Sequence, residues 1–364
     1  MKKVISIVGA RPNFIKVAPI HKAFQKYDKT VQHLICHTGQ HFDEKMSKIF
    51  FEELEMPKPH FYLGVGGGSH AEQTAKIMIE FEKVVLSEKP DFIIVVGDVN
   101  STMACSLVAT KLGVPVAHVE AGLRSFDREM PEEINRMVTD VISNYLFVSE
   151  RSGLENLKRE GIDDSKIYFT GNVMIDSLIY YLPKIDKSTI LKDMGLVKDS
   201  YILGTFHRPS NVDSEVSLNQ LVDMLNNLSA TKKIVFPVHP RTMNNLIKFG
   251  IRDKISQNII MTEPLGYIEF LALTQGASLL ITDSGGIQEE TTYLGVQCIT
   301  VRDNTERPVT VTVGTNQLIG TNLKNVEKAA FNVLSGNLKK GSIPELWDGK
   351  VAERITKIIV EKLT

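Results

Sequence analysis

Short runs of β-branched and apolar residues alternate with longer stretches of helical periodicity along almost the whole chain. In the first half the apolar runs predict strands, and the periodic stretches at residues 13–25 and 72–86 predict helices. The predicted strands cover residues 4–8, 33–37, 92–97, 116–119 and 145–148. Alternation of this kind is typical of parallel sheets with helices on both faces, so the pattern indicates an α/β fold.

The second half of the chain repeats this pattern. Its apolar runs predict strands at residues 202–205, 234–238, 259–261, 279–282 and 298–301, and its periodic stretches predict helices at 218–228, 267–274, 287–293 and 326–334. A charged stretch between residues 183 and 200 separates the two sets. We therefore expect a Rossmann-like domain over residues 1–183 and another over 200–348. The amphipathic segment at 349–364 predicts a terminal helix that packs on either domain.

The polar motifs of the chain follow the predicted strands. Ligands of open parallel sheets bind outside the carboxyl ends of the strands. Two such sheets would leave a cleft between them, so we expect the functional site in a cleft between the two domains.

Residues 283–290, with the sequence DSGGIQEE, directly follow a predicted strand and open a predicted helix. Gly285 and Gly286 would let an anion approach backbone N–H groups at the helix start, where the helix dipole favours negative charge. Glu290, one turn further on, is placed to accept hydrogen bonds from ribose hydroxyls, and Arg307 after the next strand is a candidate phosphate contact. A tight strand-to-helix turn without a ligand is the alternative.

The N-terminal motif GARPNFIK, residues 9–16, also links a predicted strand to a predicted helix. Pro12 suits the first helical turn, where its missing N–H group is not needed. Arg11 and Lys16 would supply two cations for a diphosphate, although solvated surface charges are the alternative. The motif has no GxGxxG pattern, which argues against a nicotinamide dehydrogenase.

Three carboxylates and one histidine are the candidates for acid–base chemistry. Asp98 and Glu120 each end a predicted strand, and Glu132 lies just inside a predicted helix start. Acids placed close together shift one another's pKa, as general acid–base chemistry needs. The alternatives are a helix cap for Asp98 and dipole pairing for Glu132. His207 ends the first strand of the second half and is suited to phosphate binding or proton transfer, with a buried structural histidine as the alternative.

Composition narrows the range of functions. The chain has 364 residues, enough for two domains, and its 42 Lys and Arg against 43 Asp and Glu give a formal charge of −1. That balance argues against a general nucleic-acid binder or a protein that binds anionic membranes. The three cysteines have no metal-ligand spacing, and no apolar run is long enough for a signal peptide or a membrane span. A cytoplasmic protein is therefore expected.

Taken together, these motifs resemble those of the non-hydrolysing UDP-N-acetylglucosamine 2-epimerases. The matching segments follow one another in order along nearly the whole chain, at residues 9–16, 97–98, 118–124, 131–136, 207–208, 283–290 and 305–308. The resemblance implies two Rossmann-like domains of the glycosyltransferase-B type, facing each other across a cleft. It also implies a homodimer that needs neither a metal ion nor a nicotinamide cofactor.

The resemblance further implies the interconversion of UDP-N-acetylglucosamine and UDP-N-acetylmannosamine. In that reaction UDP is eliminated to leave 2-acetamidoglucal and is then added back with the opposite configuration at C2. By this resemblance Asp98, Glu120 and Glu132 form the acid–base group, and His207 belongs to the same site. The positions that match contacts to UDP are Arg11, Lys16, Phe270 (beside the uracil), Ser284, Gly285, Gly286, Glu290 and Arg307.

Two segments depart from the common bacterial pattern of this family. Residues 38–46 are spaced differently from the Gln-His-Arg-x-Met pattern that helps to form an allosteric substrate site, so we expect no activation by substrate. The segment 124–131 is shorter than usual. A close version occurs in epimerases of UDP-2,3-diacetamido-2,3-dideoxyglucuronic acid, and Arg128 is a candidate partner for the carboxylate of that sugar.

The sequence leaves four alternatives to the interconversion of UDP-N-acetylglucosamine and UDP-N-acetylmannosamine. The nearest is the same C2 epimerisation on the diacetamido uronic acid nucleotide. A glycosyltransferase of the same fold would need an acceptor site and would leave C2 unchanged. A hydrolysing epimerase would release UDP and the free sugar, and a binder of nucleotide-sugars would do no chemistry.

Overall fold

The computed structural model describes residues 1–39 and 53–363, which form two compact units. Unit 1 comprises Met1–Tyr180 and Glu345–Thr364, and unit 2 comprises Tyr181–Pro344. The boundary therefore falls three residues before the predicted end of the first domain, and residues 181–199 group with unit 2. Among the described residues, no helix combines the length and apolar character needed to span a membrane.

Unit 1 contains a parallel sheet of seven strands within the described residues, in the order β3-β2-β1-β4-β5-β6-β7. The strands are β1 Lys2–Val8, β2 Val31–His37, β3 Phe61–Tyr62, β4 Phe92–Val96, β5 Val116–Ala121, β6 Tyr145–Val148 and β7 Ile167–Phe169. The helices are α1 Arg11–Phe24, α2 His70–Glu88, α3 Asn100–Lys111, α4 Pro131–Ile142, α5 Arg151–Arg159 and α6 Val173–Ile185, whose last five residues belong to unit 2. Every residue of β4 is buried, as expected for a strand with both faces covered.

Unit 2 contains a parallel sheet of six strands in the order β10-β9-β8-β11-β12-β13. The strands are β8 Tyr201–Thr205, β9 Lys233–Pro237, β10 Ile259–Thr262, β11 Leu279–Thr282, β12 Cys298–Thr300 and β13 Asn316–Leu318. The helices are α7 Ile190–Asp193, α8 Pro209–Val212, α9 Glu215–Ser229, α10 Pro240–Lys248, α11 Tyr267–Gly276, α12 Gly285–Leu294, α13 Pro308–Thr312 and α14 Leu323–Leu334.

The strand order reverses once in each sheet, between β1 and β4 in unit 1 and between β8 and β11 in unit 2. Ligands of doubly wound sheets bind at such switch points, because the helices that follow the two neighbouring strands lie on opposite faces and leave a crevice. The four strands concerned run directly into the segments that carry Arg11, Asp98, His207 and Ser284. The topology of each unit thus brings two of these four candidate residues to its switch point.

The predicted strands lie within two residues of the observed ones, but β3, β7 and β13 were not predicted. Each of these has two or three residues and pairs on one side only, so no long apolar run marks it. The first helix begins at Arg11, two residues before its predicted start, with Pro12 in its first turn. The glycine-rich stretch 64–68 lies outside regular structure between β3 and α2.

The last helix, α15 Val351–Leu363, belongs to unit 1 and packs on α1. Asp176 of α6 fixes its start, because its Oδ2 accepts a hydrogen bond of 2.7 Å from the N–H of Ala352. Just before the helix, the Trp347 indole donates to the carbonyl of Ser149. Burial raises the pKa of the Asp176 carboxyl to about 6, although the backbone N–H groups of the helix start oppose this.

We expect the stability that Asp176 contributes to fall as the pH rises. The pKa of its carboxyl is about 6 in the folded chain and 3.8 in the reference state, so the folded state binds more protons than the unfolded state between these values. Relative to wild type, an Asp176→Asn variant should gain about 2 kcal/mol of unfolding free energy on going from pH 4 to pH 7. Urea denaturation at both pH values measures this difference.

Asp348→Asn is the matched control on the segment that leads into α15. The hydrogen bond from Arg354 lowers the pKa of Asp348 below 3.8, so its contribution to stability is lost only as the pH falls below that value. The stability of this variant relative to wild type should therefore stay nearly constant between pH 4 and pH 7. The same pH dependence in both variants would contradict our account of Asp176.

Candidate active site

Asn13 holds the N-terminal turn of unit 1 in place. Its Oδ1 accepts hydrogen bonds from the N–H groups of Gly9 and Ala10, at 3.0 and 2.9 Å, and its Nδ2 donates to the carbonyl of Val96 at the end of β4. The turn is thereby attached to the neighbouring strand across the switch point. Arg11, the first residue of α1, is half-buried beside it.

Lys16 is a buried residue one turn into α1, not a solvated surface charge. Its Nζ donates a hydrogen bond to Oε2 of Glu120 at the end of β5, and the two side chains are only 5% and 4% exposed. Glu120 has a φ of +76°, which is uncommon for a residue with a side chain and persists only where the surroundings hold it. A Cβ placed on Gly97 would lie 3.3 Å from Lys16 Nζ and 3.4 Å from Glu120 Oε2, so the end of β4 touches this ion pair.

Asp98 follows Gly97 and is tied to helix α4. Its carboxylate accepts a hydrogen bond from the guanidinium of Arg136, and its carbonyl accepts one of 2.9 Å from Asn135. The alternative of a helix cap does not hold, because the N-cap of α3 is Val99. The Asp98 side chain remains 27% exposed, so a polar ligand has access to it.

The two neighbouring glutamates of α4 have different surroundings. Glu132 is half-buried in the first turn, and among the residues described it has no hydrogen bond or ion pair. Glu133 is buried, pairs with Arg136 at 2.6 Å, and accepts hydrogen bonds from the N–H groups of Ser125 and Phe126. Burial alone would raise the pKa of Glu133, but the hydrogen bonds from Ser125 and Arg136 outweigh it and lower the pKa. The role of Glu133 as a buried partner of Arg136 was not predicted from the sequence. The one sequence feature that indicates it is the i, i+3 spacing of the two residues.

A second buried network lies under the ends of β4 and β5. His118 Nδ1 is 2.6 Å from Oδ1 of Asp140, and its Nε2 is 2.8 Å from the carbonyl oxygen of Gly97. The other oxygen of Asp140 accepts from the N–H of Gly122 and pairs with Arg124 at 2.7 Å. Burial would raise the pKa of Asp140, but His118 and Arg124 outweigh it and lower the pKa. The sequence analysis assigned no role to His118 or Asp140.

In unit 2, Asp283 orients His207. The Asp283 carboxylate is buried and accepts hydrogen bonds from the N–H groups of His207 and Arg208 and from the side chain of Asn211. His207 Nδ1 lies 2.9 Å from the same carboxylate, so Nδ1 is the donor and Nε2 is the nitrogen left for a ligand. The His207 side chain is 42% exposed, which excludes the alternative of a buried structural histidine. Burial would raise the pKa of Asp283, but the bonds from His207 and Asn211 outweigh it and lower the pKa.

The start of α12 has the features of an anion-binding helix end. Ser284 is its N-cap, with extended backbone and no side-chain hydrogen bond to the helix. A Cβ on Gly285 would lie 2.6 Å from Oε1 of Glu306 and 2.8 Å from Nη1 of Arg307, so Arg307 lies against the helix tip. Its buried guanidinium also pairs with Glu306 and, at 2.9 Å, with Glu289. A small residue is therefore required at Gly285.

The remaining candidates lie on α12 and α11. Gly286 is in the first turn of α12, and Glu290 is buried one turn further along the same helix. Phe270 of α11 is half-buried and packs with Ile287 of α12 against a hydrophobic core of unit 2.

Each unit gathers most of its own candidate residues. Contacts in unit 1 connect the segments of Lys16, Asp98, Glu120 and helix α4, which also carries Glu132, while Arg11 lies in the adjoining turn. In unit 2, Asp283 joins His207 to the helix that begins with Ser284 and Gly285. Residues 40–46, within the segment predicted to affect allostery, lie outside the described residues. Within residues 1–39 and 53–363, no cluster of His, Cys, Asp or Glu has the arrangement of a metal site.

Comparison with known proteins identifies the family. The model of the UDP-N-acetylglucosamine 2-epimerase family matches residues 23–360. The chain belongs to the UDP-N-acetylglucosamine 2-epimerase family. It is therefore an isomerase of the epimerase type, with the Rossmann-like, glycosyltransferase-B type of α/β fold that the resemblance implied.

Two curated relatives and one solved structure are informative. The UDP-N-acetylglucosamine 2-epimerase of Methanocaldococcus jannaschii is 46% identical over 364 residues, covering 98% of both chains. The UDP-2,3-diacetamido-2,3-dideoxy-D-glucuronate 2-epimerase of Pseudomonas aeruginosa is 40% identical over 365 residues, covering 98% of this chain and 100% of the relative. A crystal structure of the M. jannaschii enzyme in complex with UDP-GlcNAc and UDP matches with a TM-score of 0.90 at 46% identity, covering 99% of this chain and 100% of that one.

The different surroundings of Glu132 and Glu133 lead to a prediction about stability. Glu133→Gln would leave the buried guanidinium of Arg136 with one anionic partner fewer, so we expect a loss of about 2–4 kcal/mol of unfolding free energy. Glu132→Gln is the matched control and should stay within about 0.5 kcal/mol of wild type. Urea denaturation of both variants measures the difference, and a larger loss for Glu132→Gln would contradict the assignment.

Proposed function

We propose that the protein interconverts UDP-N-acetylglucosamine and UDP-N-acetylmannosamine by eliminating UDP and adding it back. The observation that carries this proposal is the group of carboxylates at the switch point of unit 1. Glu120 is paired with Lys16, and Asp98 is paired with Arg136, and the Asp98 side chain stays 27% exposed, so a ligand has access to this group.

This arrangement suits the chemistry at C2 of the sugar. The C2 proton is not acidic by itself, so C1–O cleavage has to run ahead and leave positive charge at C1. Ionised carboxylates stabilise that charge, and a carboxylate then removes the C2 proton to give 2-acetamidoglucal. In the return step UDP attacks C1 and a proton is delivered to the opposite face of C2, which requires a second acid. Glu132 has no cation partner among the described residues, and we assign it to this proton exchange.

Unit 2 supplies what the leaving group needs. The N–H groups at the start of α12, with Arg307 against them, would bind the departing diphosphate, and Glu290 would accept hydrogen bonds from the ribose. Phe270 would contact the uracil. Nε2 of His207 would donate to a phosphate oxygen when both ring nitrogens carry a proton, since Nδ1 already faces Asp283.

Two alternatives to this substrate and reaction remain, and the NMR experiment below distinguishes them. The P. aeruginosa relative is named for a diacetamido glucuronate nucleotide, so the same reaction on that sugar is the second candidate. A glycosyltransferase of similar fold would leave C2 unchanged, and it would not need several carboxylates at the ends of neighbouring strands.

Incubation with UDP-N-acetylglucosamine in deuterium oxide, followed by NMR, tests the proposed reaction. We expect UDP-N-acetylmannosamine to appear and deuterium to enter C2 of both sugars, because the removed proton is replaced from solvent. Glu132→Gln should lower the rate at least 100-fold, since general acid–base catalysis supplies about that much, while the folded state stays intact. Turnover of the diacetamido uronic acid nucleotide alone would overturn the proposed substrate assignment. Absence of deuterium at C2 with both nucleotides would overturn the proposed epimerisation.

We also propose that the enzyme is a cytoplasmic homodimer. The three cysteines are free and buried, which supports a reducing compartment. Helix α2 of unit 1 carries two exposed apolar side chains, Ile79 and Leu86, which lie two turns apart on one face. Such a patch favours association with a second copy.

Light scattering after size exclusion tests the dimer. The wild type should elute at about twice the chain mass of 40.6 kDa, and the double variant Ile79→Lys, Leu86→Lys should elute as a monomer, because two buried charges would oppose association. Val216→Lys, at an equally exposed apolar position on α9, is the control and should stay dimeric. A wild-type monomer would contradict the proposal.

A further inference from the structure

The buried pair of His118 and Asp140 contacts all three segments that carry the proposed acid–base residues. His118 lies on β5, two residues before Glu120, and Asp140 lies on α4, eight residues after Glu132. Both side chains are 0% exposed, so neither touches a ligand.

The hydrogen bonds of the pair end on backbone groups next to the other carboxylates. His118 Nε2 donates to the carbonyl of Gly97, the residue before Asp98, at 2.8 Å. Asp140 accepts from the N–H of Gly122, two residues after Glu120, at 3.1 Å. The direct bond between the two side chains, at 2.6 Å, closes the bridge between β4, β5 and α4.

The strand pairing of the sheet becomes irregular next to the bridge of His118 and Asp140. Gly97 and Glu120 have φ values of +67° and +76°, outside the strand conformation, and the register between β5 and β6 shifts between Val119 and Ala121. Strand pairing is therefore irregular at Glu120, and it ends after Ala121, which still pairs with Val148. The bridge of His118 and Asp140 supplies contacts at this point.

All polar atoms of the bridge have partners inside the protein. The two ring nitrogens of His118 face Asp140 on one side and the carbonyl of Gly97 on the other. Asp140 also pairs with Arg124, whose outer side binds Glu160 at 2.8 and 2.6 Å. Each nitrogen and oxygen of the two buried side chains thus has a hydrogen-bonding partner, as buried polar groups require.

We propose that His118 and Asp140 are positioning residues that set the separation of Asp98, Glu120 and Glu132. The pair acts through the backbone at Gly97 and Gly122 and through α4. It thereby determines whether the acid–base groups among these three carboxylates reach both faces of C2. This inference rests on the proposed epimerase reaction.

Asp140→Asn should impair the chemical step and spare nucleotide binding. Displacement of reacting groups by about 1 Å lowers rates by up to about 100-fold, so we expect kcat to fall about 10- to 100-fold. The dissociation constant for UDP, measured by calorimetry, should stay within about twofold, because the proposed diphosphate contacts of unit 2 are unchanged. A fall in UDP affinity that matched the fall in kcat would overturn the proposal.

A ratio separates positioning from simple loss of folded enzyme. In deuterium oxide, the deuterium in recovered substrate divided by that in the epimer reports how the intermediate partitions between the two faces. This ratio does not depend on the fraction of active protein. It should shift by about threefold or more in Asp140→Asn and in His118→Gln, which cannot keep both contacts of the ring in the same geometry. An unchanged ratio in both variants would overturn the proposal.

Glu160→Gln is the matched control, because it makes the same carboxylate-to-amide change at the outer end of the same network. The Glu160 side chain is 26% exposed and contacts neither strand end in the described part of the chain, so kcat and the deuterium ratio should stay within about twofold of wild type. Equal effects of Glu160→Gln and Asp140→Asn would show a general loss of stability and overturn positioning by the bridge.

Hydrogen exchange of the ligand-free protein separates this inference from the proposed reaction. Segments 95–100 and 118–123 should exchange faster in Asp140→Asn than in Glu160→Gln and wild type. That result supports the bridge even if the wild type leaves UDP-N-acetylglucosamine unchanged, in which case only the substrate assignment fails. Unchanged exchange in these segments overturns the bridge whatever the activity.

Discussion

A carboxylate withdrawn from water needs a cation or several N–H donors beside it, and this requirement organises the strand ends of unit 1. Glu120 receives its cation from α1 through Lys16, and Asp98 receives one from α4 through Arg136. In each case the partner comes from a different element. Each ion pair therefore joins two elements, and the acids that we propose for catalysis also hold the site together.

The same pairs explain how an unfavourable backbone persists. A residue with a side chain in the left-handed region carries strain of the order of 1 kcal/mol, and Glu120 has this conformation at the end of β5. A regular strand would alternate its side chains between the two faces of the sheet. The left-handed turn breaks that alternation, and the ion pair with Lys16 holds Glu120 at the switch point. Strain is thus present where the proposed chemistry needs a defined carboxylate.

The sequence predicted the parallel sheets and the strand ends well, because long apolar runs such as residues 92–96 mark buried strands. It could not separate Glu132 from Glu133, since both stand in the first turn of one helix and only the packing of α4 decides which is buried. His118 and Asp140 are 22 residues apart, and no local pattern links them. Their pairing depends on how α4 lies beside β5, which no periodicity specifies.

The proposed diphosphate site of unit 2 has no surplus of positive charge. Arg307 lies between Glu289 and Glu306, and Glu306 also pairs with Arg302, so two cations face two anions around the helix tip. A neutral cluster exerts little long-range attraction, in keeping with the formal charge of −1 for the whole chain. Recognition of a diphosphate would then depend on directed N–H groups at the start of α12, which act only at short range. Such a site would favour a ligand of the correct shape over anions in general, and it would release UDP to the sugar in the proposed return step because no excess of cations holds it.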